Sequence, residues 1–445
     1  MKNTTEPTIK VGIVTASEIK FVLNGSFMGP NGQVYNGKKV AVYRRGSILF
    51  NGDLYDELMF TPLSNTDSFD LKDVTIGLNF HWERKETQRF RGELMFLVDN
   101  GKLTVINQIN VEDYLTSVIS SEMSATASNE LLKAHAVISR SWLLHPIQHP
   151  ASSNQQKTKF KTVNSELSTV NYVKWYERDA HKNFDVCADD HCQRYQGITR
   201  ATTKAVEQAI EATRGEVLMF EFKICDARFS KSCGGASESF ENCWAPEHYP
   251  YLTKVIDNSI DPEGFDLDLT VEENAEKWIR QNPNAFCNTA DKKVLSQVLN
   301  NYDQETTDFY RWKVEYTQVE IAELLTRRSG YDVGQIIDLI PIQRGESGRI
   351  IELKIVGTKQ TVSVGKELEI RKWLSNSHLY SSAFVVDKSE IIDGIPQYFT
   401  LIGAGWGHGV GLCQIGAAVM GKKGYNYYEI LKHYFKGAEL KRIYS

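Results

Sequence analysis

A chain of 445 residues with a formal net charge of -5 is too long for one simple core and carries no basic footprint. Two or three structural units are therefore expected, and nucleic acid is a poor candidate partner. Hydrophobic content of 41% and charged content of 24% are ordinary for a soluble globular protein, and no run approaches the ~20 apolar residues that span a bilayer. The start, "MKNTTEPTIK", is polar and lacks the apolar stretch of a signal peptide, so it fits a cytoplasmic protein or an exported chain without its signal segment.

Residues 8–110 read as strands. "KVGIV", "KKVAVYRR", "SILFNG", "VTIGLNFHWER" and "LTVINQI" are rich in Val, Ile and aromatics. "NG" pairs at 24–25, 31–32, 36–37, 51–52 and 100–101 are plausible turns. The pattern changes at Val111, where Leu115, Val118 and Ile119 share a helical face and Glu112 and Asp113 occupy the first turn. A second helix is predicted from Ser128, a good N-cap, through Leu131, Ala134, His135, Ile138 and Trp142, with Pro146 and Pro150 ending it. Glu122 falls at the junction of these helices.

A polar stretch at 152–162 precedes a Cys/His-rich segment, and a helix over 199–213 stops at Gly215. "EVLMFE" and "ICDARFS" are short strands, and 262–345 reads as a mixed insertion with helices near 271–281 and 317–327. "RIIELKIVG", "QTVSVG", "SAFVVDKS" and "QYFTLIGAG" are further strands, and "NYYEILKHYFKG" is helical. The expected class is α+β: a β-rich N-terminal domain (1–110), a mixed α/β core in two parts (111–260 and 346–445), and an inserted segment (261–345).

Chemistry concentrates in three places. In "VISSEMSAT" a lone Glu122 lies among serines, Met123 and Ala125, with no Lys or Arg near it in sequence. In "HKNFDVCADDHCQRYQG", His181, Cys187 and Cys192 offer imidazole and thiol groups that suit Zn²⁺, with His191 adjoining the second cysteine. A short Cys187–Cys192 bridge and free thiols are the alternatives. Seven cysteines cannot all pair within one chain, and Cys287 and Cys413 stand apart from the cluster at 187–243. In "GAGWGHGVGLCQIGA", alternate glycines permit close backbone approach, but the spacing matches neither the dinucleotide fingerprint nor a P-loop. A structural turn around Trp406 is the plainest account of that block taken alone.

Together, "VEDYLTSVISSEMSATASNELLKAHAVISRSW" and "GAGWGHGVGLCQIGAAVMGKKGYNYYEILKHYFKGAEL" resemble the two signature blocks of the stage II sporulation protein D family, which includes the amidase enhancers. "FSKSCGGASES" and "SGRIIELKIVG" lie between them in the expected order, so the resemblance covers roughly 105–445, interrupted around 260–310. It implies a lytic transglycosylase that cleaves peptidoglycan glycan strands stripped of stem peptides, with Glu122 as catalytic acid. The rival it also implies is a non-catalytic glycan-binding activator of a cell-wall amidase.

Lys133 and Arg140 are seven apart, so they share a face of the second helix, either a solvated or salt-bridged face or one on which Arg140 meets glycan. The resemblance further implies substrate contacts from Ser232, His408 and Gln414, and a zinc ion held by His181, Cys187 and Cys192. Cys413 and Ile415 depart from the usual Ser and Tyr, and His135 replaces the usual Gln, where a packed, hydrogen-bonded histidine is expected. An envelope substrate implies location outside the inner membrane, with membrane attachment only through an anchor upstream of this chain.

Overall fold

The structure, a computed structural model, describes residues 5–76, 84–124, 126–148, 169–176, 181–189, 191–199, 202–298 and 307–445. The polar stretch at 152–162, Pro150 and all of "GLNFHWE" in the predicted strand 74–84 lie outside the described residues. The chain divides into two compact units: 1–150, 180–217 and 440–445 form the first, and 151–179 with 218–439 the second. This division differs from the four expected segments. The first two helices join the N-terminal sheet, and the expected insertion belongs to the second unit.

The first unit is built on an eleven-stranded sheet. Thr8–Ala16 pairs antiparallel with Lys102–Asn110, which pairs in turn with Glu93–Asp99. Period-two burial along Glu18–Met28 turns Ile19, Phe21 and Leu23 inward. Phe21 packs against Phe50, Phe60 and Phe96 with ring centroids 5.1–6.3 Å apart. The "NG" pairs at 51–52 and 100–101 form the hairpin turns expected of them, with φ of 50° and 96°, and 47° and 74°. Those at 24–25 and 36–37 instead lie inside strands, where the register slips between Leu23 and Phe27. There the glycines accommodate a bulge rather than a reversal, because pairing continues on both sides of them.

Strand Lys102–Asn110 runs straight into helix α1 (Val111–Glu122), whose first N–H groups bond to the Pro7 carbonyl and the Glu6 carboxylate. Leu115, Val118 and Ile119 are fully buried, contributing about 1.5–3 kcal/mol each by the usual scale of apolar burial. Helix α2 (Asn129–Gln148) begins where expected, with Ser128 Oγ accepting the Leu131 N–H at 3.3 Å. It runs through Pro146 rather than ending there. A proline so near the end removes only one N–H from a helix otherwise anchored by buried Leu131, Ala134, Val137 and Ile138. Helix α3 (Lys204–Ala212) is capped by Thr203, and Gly215 follows it at φ +67°.

The second unit holds helices α4 (Glu272–Arg280), α5 (Lys292–Val298), α6 (Gln318–Ser329), α7 (Glu367–Trp373), α8 (Gln414–Lys422) and α9 (Tyr427–Tyr434). A four-stranded sheet orders Thr169–Val173, Thr361–Gly365, Ile350–Gly357 and Ile336–Arg344. A three-stranded sheet places Ile395–Ala404 between Arg311–Thr317 and Phe384–Ile392. One core spans both, with Trp312, Ile321, Leu353, Val362, Trp373 and Phe399 all buried in it. "ICDARFS" forms only two-residue strands at Lys223–Ile224 and Phe229–Ser230, the latter parallel to Leu412–Cys413. Among the described residues no helix is long and apolar enough to cross a membrane.

Candidate functional site

Glu122 is the last residue of α1 and is half-buried. The chain turns extended at Met123, whose N–H still bonds to the Ile119 carbonyl and whose side chain is buried. The Glu122 carboxyl accepts the Arg194 backbone N–H at 3.4 Å, and among the described residues no cation pairs with it. It lies at the end of α1 that carries the negative pole of the helix dipole, where the backbone offers an anion no support. The segment bearing Arg194 is itself tied to the helices. Gln196 N–H bonds to Ser117 Oγ at 3.2 Å, Gln193 Nε2 donates to the Ser139 carbonyl at 3.4 Å, and Tyr195 stacks on Tyr114 with centroids 5.0 Å apart.

The same segment gathers four metal-binding side chains. His181, Cys187, His191 and Cys192 place one ligand atom each within 4.8 Å of all the others. His181 Nε2 is 3.3 Å from Cys192 Sγ, which is 3.5 Å from His191 Nδ1. Cys187 and Cys192 are both free thiols, not a bridge. The Cys192 thiol, and then the two imidazoles, hold the Cys187 thiol far below its ordinary range, favouring the thiolate that binds metal. Two thiols and two imidazoles fit tetrahedral Zn²⁺. His191 is a fourth donor beyond the three named from sequence, and its adjacency to Cys192 was the available signal.

Arg140 requires a correction. It is fully buried, with Nε and Nη2 on the Glu112 carboxylate at 3.0 and 2.6 Å and Nη1 on the Glu216 carbonyl at 2.9 Å. Its guanidinium is committed to the interior and has no face for a ligand, so its role is structural. Lys133, seven residues earlier, pairs with Glu130 at 2.8 Å. His135 is buried, with Nδ1 3.2 Å from Ser139 Oγ, the packed histidine expected at that position.

Ser232, His408 and Gln414 belong to the second unit. Ser232 forms a two-way backbone bridge with Trp406, joining "KSCGG" to the glycine block, and its buried hydroxyl has no hydrogen-bond partner among the described residues. His408 Nδ1 accepts the Val410 N–H at 3.0 Å, and its ring meets Trp244 edge-on at 5.0 Å. Burial first, then Arg228, Arg371 and Arg349, push His408 well below the ordinary histidine range, so the ring is neutral at pH 7. Gln414 is buried at the start of α8.

The glycine alternation has a direct cause. Gly405, Gly407, Gly409 and Gly411 all have φ between +74° and +95°. A Cβ on Gly409 would lie 2.4 Å from Arg349 Cζ, and one on Gly411 would lie 2.1 Å from the Arg228 carbonyl. Side chains are excluded twice over, by backbone conformation and by space. Arg349 is buried beneath this block, donating to the carbonyls of Gly407 and Cys233 at 3.2 Å. Nothing local in "SGRIIELKIVG" distinguishes it from a surface arginine.

These features define a two-unit α+β protein with the Glu122 carboxyl and a Cys/His cluster joined through the segment 181–196 in one unit and a glycine-rich block in the other. Residues 99–220 match the family model described as Stage II sporulation protein, and residues 238–411 match one described as Domain of unknown function. Stage II sporulation protein D of Bacillus amyloliquefaciens is 22% identical over 75% of this chain and 75% of its own length. The amidase enhancer of Bacillus subtilis (strain 168) is 25% identical over 73% of this chain, which covers 40% of that protein. An uncharacterized protein of Brachyspira hyodysenteriae is 26% identical over 79% of this chain and 72% of its own length. Residues 99–220 thus match the Stage II sporulation protein family, and about three quarters of the chain is similar to proteins named stage II sporulation protein D and amidase enhancer.

Proposed function

We propose that the protein acts on the bacterial cell wall as a peptidoglycan lytic transglycosylase, with Glu122 as acid and then base. The observation that carries this is the half-buried Glu122 carboxyl at the end of α1, held by one backbone N–H and paired with no cation among the described residues. Glu122 gives its proton to the glycosidic oxygen as the C1–O bond breaks. The sugar's own 6-hydroxyl then bonds to C1 and returns its proton to Glu122, leaving a 1,6-anhydro end and consuming no water. A hydrolase needs a second carboxylate for the water. This reaction does not, which fits one isolated acid.

Zinc at His181, Cys187, His191 and Cys192 would supply a structural tie, its charge balanced by the two thiolates. Cys192 lies two residues before Arg194, whose N–H holds Glu122, so that tie would position the acid. His408, the partly exposed member of the three, is assigned to glycan contact, whereas Ser232 and Gln414 are buried and would act by holding the glycine block. His408 would act as a neutral hydrogen-bonding group. The substrate places the working protein in the cell envelope, outside the inner membrane.

Mass spectrometry of digested glycan strands, intact and peptide-stripped, tests the reaction. Wild type is expected to leave anhydro-muramyl ends, and Glu122→Gln to bind strands with cleavage lowered ~10²-fold or more. Near-normal anhydro product from Glu122→Gln would move the acid elsewhere. The kinship with the amidase enhancer favours one rival, a glycan-bound activator of a cell-wall amidase. That role predicts amidase stimulation retained by Glu122→Gln and no anhydro ends from wild type.

A further inference from the structure

The two cysteines that stood alone in the sequence do not stand alone in the fold. Cys233, Cys287 and Cys413 converge with Asp257 inside the second unit, all four are buried, and their ligand atoms lie within 4.8 Å of one another. Cys233 comes from the "KSCGG" loop and Asp257 from the bend that follows Ile256, before α4. Cys287 precedes α5, and Cys413 is the N-cap of α8. We propose that these four residues form a second metal site, taking a thiophilic divalent cation, zinc by its ligand set, through three sulfurs and one oxygen.

The spacing fits a tetrahedral ion. Zn–S bonds of about 2.3 Å give S···S edges of about 3.8 Å. Cys233 Sγ and Cys287 Sγ are 3.7 Å apart, far beyond the ~2.05 Å of a disulfide, and all seven cysteines are free thiols. Charge points the same way. Asp257 is buried, and among the described residues its carboxylate has one ion-pair contact, His433 at 4.0 Å, which is ionic only when the ring is protonated. A buried carboxylate is costly without a compensating charge, and a divalent ion supplies it.

The surroundings are those of a supported ligand set. Tyr434 O–H donates to Asp257 Oδ1 at 2.6 Å, and Cys287 N–H donates to Oδ2 at 2.8 Å. Cys413 Sγ accepts the N–H groups of Cys233 at 3.3 Å and Gly416 at 3.4 Å, at the positive end of α8. Gly416 is required there, since a Cβ would sit 2.3 Å from the Tyr434 hydroxyl and 2.5 Å from Asp257 Oδ1. The ion would tie together segments up to 180 residues apart. It would also anchor Ser232 and Gln414, each the chain neighbour of a ligand.

The test uses the full chain carrying Cys187→Ser and Cys192→Ser, so that the Cys/His cluster cannot hold metal. This protein should retain about one equivalent of zinc by elemental analysis. Zinc-edge X-ray absorption should show three sulfurs at about 2.3 Å and one oxygen at about 2.0 Å. Adding Cys287→Ser should abolish that zinc. Cobalt reconstitution of the Cys187→Ser/Cys192→Ser protein should give intense thiolate charge-transfer bands, a readout needing no change to the new ligands if Cys287→Ser does not fold. No zinc in that background, a Cys233–Cys287 disulfide in a non-reducing peptide map, or fewer than two sulfurs on the metal would overturn the proposal.

Discussion

Replacing Glu112 by Gln is the sharpest test of how the first unit is held together. Its carboxylate accepts Arg140 Nε and Nη2, the Gly215 N–H at 3.1 Å and the Tyr444 O–H at 2.7 Å, all in the interior. Gln keeps the shape but loses the charge, and its amide NH₂ would face a donor, either Arg140 Nη2 or the group around Oε1. Arg140, with no exposed surface, is left as an uncompensated buried cation. Breaking one side of such a pair costs about 3–5 kcal/mol. At roughly 2–4 °C per kcal/mol for a unit of about 150–250 residues, Tm should fall by about 6–20 °C. Differential scanning calorimetry measures this directly. Glu112→Gln combined with Arg140→Met should recover much of the loss, because the stranded charge is removed as well. A Tm within about 2 °C of wild type for Glu112→Gln would refute the argument that this pair organises α1, α2 and the C-terminal strand end.

Other outcomes follow from single features. Gly409→Ala must hold a side chain at φ +80° and displace Arg349, so it should cost at least about 1–3 kcal/mol in urea unfolding, whereas Gly394→Ala, with φ +79° but open space, should cost only the conformational part. Cys187→Ser should lower zinc content and, by loosening the Arg194 contact, reduce formation of anhydro ends with circular dichroism unchanged. Burial first, then Arg371, Lys372 and Arg328, lower His378 to about 4 from 6.5. The unfolded chain therefore binds the extra proton, and the contribution of His378 to stability is complete above pH 6.5 and is lost as pH falls toward about 4. Urea midpoints at pH 7 and pH 4.5 should differ less in His378→Gln than in wild type, and an unchanged difference would count against this assignment.

Much of the fold was local enough to read. The apolar face of α1, the Ser128 cap, the reversals at 51–52 and 100–101, and the strands 350–357 and 361–365 depend on residues within a few positions of each other. Glu122 at a helix end among small residues, and the Cys/His segment at 181–192, are equally local patterns, and the structure puts both in the same unit. Helices α5, α7 and α8 were missed. Their short runs carry too little periodicity to be told from neighbouring strands and glycine turns.

What tertiary structure alone decided are the partnerships across long stretches of chain. Arg140 shares a helix face with Lys133 and reads as a surface cation, yet its partner, 28 residues away in sequence, takes it into the core. Glu112 reads as a first-turn acid serving the helix dipole, and becomes the buried hub of four hydrogen bonds. Cys287 and Cys413 have no neighbour in sequence that could mark them as ligands, and only the folding of the second unit brings them to Cys233 and Asp257. Backbone periodicity and capping are written into neighbouring residues because their energies act over one or two turns. Burial, charge pairing and ligand convergence are set by which distant segments share an interior, and no short window of the chain contains that information.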